Sequence, residues 1–188
     1  MVVFWWSPGI GDPTFAGWLT VVLYFVTAFW CWRVAGEITS DGRAQRSEER
    51  AWRVLTLLFV ALGINKQLDL QSALTQIGRV MAFHYGWYED RRTVQIAFVG
   101  LVAVVCLLAA IALLLMFRNA PAATWLAAVG TIAILLFVLI RAASFHHIDQ
   151  FIGKRVLGLR WNWILEMGGI LLVLLAAHWR RTRIAAKG

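Results

Sequence analysis

The stretch VLTLLFVALGINKQLDLQ (residues 54–71) decides how the rest of the chain is read. It is apolar from Val54 to Ile64, too short a run to cross a bilayer alone. It then continues into Asn65, Lys66, Gln67 and Asp69 without a proline to break a helix. With Arg53 at one boundary, a helix places Lys66 about 20 Å along its axis. That lies in the far third of a hydrocarbon core about 30 Å thick. Lysine and aspartate at such depth face a bundle interior or a wet cavity and are usually paired. Lys66 and Asp69, three residues apart, are close enough on a helix to neutralise each other. The stretch therefore predicts a membrane-spanning helix of about 52–71 with a polar end.

Composition agrees. The chain has 188 residues, 61% hydrophobic and only 15% charged, with a mean hydropathy of +0.70. Soluble domains have about 25% charged residues. The formal charge of +8 would suggest nucleic acid in a soluble protein, but no soluble basic surface is long enough here. Basic residues at span ends, which set orientation and meet anionic headgroups, account for it. Cys31 and Cys106 lie in apolar runs without a Cys-x-x-Cys, so they read as small hydrophobes. The N-terminus lacks the basic segment of a cleaved signal peptide, and the first span is expected to serve as its own signal.

Four further apolar runs complete the architecture, at about 14–33, 94–117, 121–144 and 161–179. The polar segment from Arg33 to Arg53 separates the first two spans, with Ser47 as a candidate cap. After the second span, Leu74, Ile77, Val80 and Met81 recur at helical spacing among polar residues, which predicts an interfacial helix of about 72–85 on the outer side. Pro121 stands where a helix begins. Gly63, Gly100, Gly130, Gly168 and Gly169 lie inside spans and predict close helix approach. The expectation is one domain, residues 1–188: an all-α membrane protein, a five-transmembrane-helix bundle plus one short interfacial helix. Lysines and arginines divide ten against eight between its two sides, and the first loop and the tail favour N-terminus outside and C-terminus inside. In a bacterial cytoplasmic (inner) membrane, the outer side is the periplasmic face.

Depth then groups residues far apart in sequence. Asn65, Lys66, Asp69 and Gln71 end the second span, and Gln95 opens the third after Arg91 and Arg92. Arg141 and Ser144 end the fourth, followed by His146, His147 and Asp149, and Glu166 lies about 7 Å into the fifth. These form an outer polar layer, with no comparable set expected inside the spans at the other end. Three readings of the layer stay open. Paired polar residues bind helices together. Alternatively, Asn65, Lys66, Asp69, Gln71, Arg91, Arg92, Gln95, Arg141 and Ser144 hold an anionic or redox-active small molecule or a lipid, in a binding protein or a subunit of a larger membrane complex. In the third, His146, His147, Asp149 and Glu166 serve a membrane-embedded metal-dependent or acid–base enzyme acting on a lipid-like substrate. His146, His147, Asp149 and His84 supply nitrogen and oxygen ligands for a divalent metal, and His84 with His146 or His147 is the candidate haem pair. Membrane lipid and other membrane subunits are the expected partners.

Family signatures do not complete the reading. The Arg–His–Asp order after residue 140 is similar to the last signature of membrane phosphatidic-acid phosphatases, but Ile140 stands where that signature needs serine, and no Pro-Ser-Gly-His segment exists. The proline-rich loop of tryptophan-rich translocators and the Gly-x-Ser-Gly of rhomboids are also absent.

Overall fold

The computed structural model describes residues 14–38, 42–68, 77–78, 80–81, 84, 91–143, 155–156 and 159–186. Five long helices dominate them: α1 Phe15–Glu37, α2 Arg43–Leu68, α3 Arg91–Phe117, α4 Ala122–Ala143 and α5 Trp161–Ala185. A minimal antiparallel pair, Arg155–Val156 with Leu159–Arg160, precedes α5. Three helical segments are long and apolar enough to cross a membrane: Phe15–Glu37, Ile96–Phe117 and Ala122–Arg141. The other two long helices carry the ionisable groups discussed below.

Local chemistry explains the helix ends. Thr14, extended and outside the helix, accepts the Gly17 amide on its hydroxyl and the Trp18 amide on its carbonyl, so it caps α1. Pro121 does the expected work at the head of α4, its carbonyl accepting from Thr124 and Trp125. Ser47 does not cap α2. The helix begins at Arg43, and the Ser47 hydroxyl donates instead to the Met116 carbonyl at the end of α3, 3.1 Å away. An orphan C-terminal carbonyl is thereby satisfied. Of the expected interfacial helix, Ile77, Gly78, Val80, Met81 and His84 are helical, with Ile77 and Met81 exposed; the rest of 72–85 lies outside the described residues.

Each helix packs on its predecessor and α5 returns to α1, with α4–α5 and α1–α2 the most extensive contacts. Directions follow from pairs that meet. The start of α2 meets the end of α5 through Glu48 and Arg180, and the end of α2 meets the start of α5 through Lys66 and Glu166. The starts of α2 and α4 meet through Glu48 and Thr124. The bundle therefore runs up-down-up-down-up.

One face of α2, comprising Glu48, Ala51, Trp52, Leu55, Phe59 and Gly63, turns inward. Tyr24 and Phe59 stack at 5.9 Å, Trp52 and Phe117 at 6.5 Å. The outward faces are apolar too: Phe29, Trp32, Leu57, Leu101, Leu107, Leu115 and Leu175 are all exposed. Greasy exteriors of this extent suit a hydrocarbon solvent rather than water.

Small residues let α4 and α5 approach closely. A Cβ on Gly130 would lie 2.9 Å from the Gly169 carbonyl oxygen, and one on Gly169 would lie 2.6 Å from Ile134. A Cβ on Gly63 would lie 3.2 Å from both Tyr24 and Phe25 of α1. Gly100 and Gly168 differ from expectation: no described residue lies within 4 Å of a Cβ at either, so neither serves a close approach between the described helices. Gly130→Val should therefore cost about 1–3 kcal/mol through overpacking. Gly168→Ala should be neutral or mildly stabilising, by up to about 1 kcal/mol. Thermal unfolding in detergent reads both, and equal effects would contradict the crossing.

Candidate functional site

A buried polar cluster joins α1, α2 and α5. Lys66 continues the inward face of α2 one turn beyond Gly63, and its Nζ donates to Glu166 Oε2 at 3.0 Å. Tyr24 donates its hydroxyl to Glu166 Oε1 at 3.1 Å. Both carboxylate oxygens are thus engaged. The side chains of Lys66 and Glu166 are 12% and 4% exposed, so the pair sits away from water. Burying an isolated ion costs several kcal/mol, which attraction offsets only when geometry is good and remaining lone pairs are bonded. Here both conditions hold.

Arg141, at the end of α4, is exposed, and its charge acts on Tyr24. Asn65 is half-buried beside Lys66. The structure thus brings Lys66, Glu166 and Arg141 to one end of the bundle, as the depth argument expected, and gives Lys66 a partner one hundred residues away. Arg91, Arg92 and Gln95 lie on the first turns of α3. His84 is exposed. Asp69, Gln71, Ser144, His146, His147 and Asp149 lie outside the described residues. Among the described residues, no group of three or more His, Cys, Asp or Glu could hold a metal ion.

Tyr24 was not among the expected site residues. The signal was present: Thr20, Tyr24, Thr27 and Cys31 recur at helical spacing on α1, and all four are buried. Two buried polar atoms, Thr27 Oγ1 and Trp52 Nε1, have no hydrogen-bond partner among the described residues.

The opposite end of the bundle corrects the sequence reading. Glu48, assigned to the polar segment 33–53, is 4% exposed and lies inside α2. Arg180 grips it with two bonds, Nε to Oε1 at 2.8 Å and Nη2 to Oε2 at 3.0 Å, while the Thr124 hydroxyl donates to Oε1. Such bidentate, charge-assisted geometry is the strong form of the interaction. Next to it Arg181 bonds Glu37 at 2.8 and 2.9 Å and lies 4.7 Å over the Trp30 ring. A comparable interior polar set therefore exists at this end. It was legible too, since Glu48 precedes Trp52, Leu55 and Phe59 on the same helical stripe.

Fold and site together define a class: an all-helical protein with candidate membrane spans and buried acid–base pairs at two levels. Comparison with known families, curated proteins and solved structures finds no match, so the reading of the site rests on its own chemistry.

Breaking one member of a buried pair leaves the other charge stranded, at a cost of about 3–5 kcal/mol. Glu166→Gln and Lys66→Met should each lower stability by that order. The Glu166→Gln/Lys66→Met double variant should lose less than either single one. Reversible unfolding in mixed micelles tests this, and strictly additive losses would contradict it.

Proposed function

We propose that the chain is a five-span protein of the bacterial cytoplasmic membrane, N-terminus outside, that accommodates an anionic or redox-active small molecule or a lipid in its outer polar layer. It acts as a binding protein or as a subunit of a membrane complex. The observation that carries this reading is the buried Lys66–Glu166–Tyr24 cluster with the Arg141 charge beside it. Ionisable residues at such depth mark ligand or ion sites by default. Because Lys66 and Glu166 neutralise each other, α2 and α5 can join the three more apolar helices as spans. At 26 and 25 residues they reach about 39 and 38 Å, more than a hydrocarbon core requires.

An anionic ligand would enter beside Arg141 and compete with Glu166 for the Lys66 ammonium, while the Tyr24 hydroxyl keeps donating to the Glu166 carboxylate. Exposed apolar side chains such as Ile64 and Leu68 line the same end of α2, which suits an amphiphile better than a small inorganic ion. The arginines of the opposite end, Arg43, Arg46, Arg50 and Arg53 on α2 with Arg180, Arg181 and Arg183 on α5, favour its placement on the cytoplasmic side. A periplasm-only reporter fused to the C-terminus should accordingly be inactive.

Native mass spectrometry of the full chain, extracted with its membrane lipids, tests the binding role. The wild type should retain a small molecule or lipid at near-stoichiometric occupancy. The Lys66→Met/Glu166→Gln variant, which leaves no lone buried charge, should lose most of it while remaining folded. Unchanged occupancy would overturn the assignment. A stoichiometric metal lost on His146→Ala would move the reading to an enzyme.

A further inference from the structure

A second concave feature lies at the other end of the bundle, where α2 begins, α3 turns into α4, and α5 ends. It is a cleft of about 530 Å³ walled by Gln45, Asn119, Ala122, Ala123, Trp179 and Arg183, with the Glu48–Arg180 pair also lining it. We propose that this cleft binds the headgroup of an anionic phospholipid in the leaflet on that side. The proposal rests on α5 crossing the membrane, as argued above, but not on any ligand in the outer layer.

Charge is the first argument. Glu48 is consumed by Arg180 through both oxygens, so this pair contributes no net charge. Among the described residues, Arg183 is then the lining charge without an acidic partner, and it is exposed. Arg43 and Arg46 flank Gln45 on the first turn of α2 and add to the positive potential. Basic pockets between spans on the cytoplasmic side suit anionic headgroups. The small side chains of Ala122 and Ala123 leave the room, and the volume falls within the range of about 300–1,000 Å³ typical of small-molecule sites.

Shape separates a lipid from a soluble anion. Trp179 belongs to the cleft wall, and Arg183 sits 6.0 Å over its ring. Trp179 also heads a ridge continued by Leu175 and Leu171, one and two turns back along α5, at 39%, 60% and 43% exposure. A cationic cleft that opens onto an exposed apolar ridge matches a phosphate group followed by an acyl chain. Tryptophan at that junction is where an interfacial aromatic belongs.

The test titrates the purified full chain with phosphatidylglycerol, phosphatidylcholine or water-soluble glycerol 3-phosphate and counts bound molecules by native mass spectrometry. The wild type should prefer phosphatidylglycerol at least tenfold over phosphatidylcholine and bind glycerol 3-phosphate far more weakly. Arg183→Ala should reduce phosphatidylglycerol binding at least fivefold, and Arg183→Glu should abolish it. Equal binding of the two lipids, an Arg183→Ala variant that binds normally, or glycerol 3-phosphate binding as well as the lipid would each overturn the proposal. Retention of the protein in carbonate-washed membranes is scored in parallel. Loss there counts against the spanning reading and the cleft together, whereas retention with lipid failure counts against the cleft alone.

Discussion

A charge buried in a low-dielectric interior must meet its opposite, and α2 and α5 are bound to each other by that requirement. Each helix carries one buried acid and one half-buried base, in the same order along the chain. Along α2 come Glu48 and then Lys66; along α5 come Glu166 and then Arg180. Antiparallel, the two helices satisfy both pairs at once. Parallel, they would set Glu48 near Glu166 and Lys66 near Arg180, with four charges unpaired. The arrangement thus discriminates against the wrong direction as well as stabilising the right one.

The geometry fits this account although the two spacings differ. Glu48 and Lys66 are separated by about 27 Å of helix axis, Glu166 and Arg180 by about 21 Å. Lysine and arginine, the long members, absorb the difference by reaching toward the short carboxylates. α2 and α5 each pack extensively on α1, whereas their own link runs through these side chains. Tyr24 of α1 completes the upper pair and Thr124 of α4 the lower, so four of the five helices enter the two clusters. The Gly130–Gly169 crossing then locks α4 onto α5 by shape alone. α3 is the least enclosed; Leu113 and Phe117 at its end are its buried members among the described residues.

Much of this was legible in the sequence, for reasons that can be stated. Apolar runs fix helices because the backbone must satisfy its own hydrogen bonds in lipid. Depth arithmetic brought Lys66, Glu166 and Arg141 to one layer, since a rise per residue converts position into height. It could not identify partners, because height carries no information about azimuth between helices. Lys66 therefore had Asp69 as its nearest partner in sequence, while Glu166 comes from a distant helix. Glu48 was missed for a different reason. Four charges close together, Ser47-Glu48-Glu49-Arg50 with Arg53, resemble a solvated loop until the helix is extended back to Arg43. Once it is, Glu48 falls on the stripe of Trp52 and Phe59. Similarly, Gly100 and Gly168 have no neighbour among the described residues, and a glycine in a span signals close packing only when a neighbour faces it.

The central claim, that reciprocal ion pairs set the direction and register of α2 against α5, is tested most directly by exchanging charges. Lys66→Glu alone and Glu166→Lys alone should each place like charges together in the interior and fail to give a folded protein. The Lys66→Glu/Glu166→Lys exchange should restore a cooperative thermal transition in detergent, lower than that of the wild type because Tyr24 loses its carboxylate acceptor. An exchange variant no more stable than the two single reversals, or single reversals that melt like the wild type, would contradict the account.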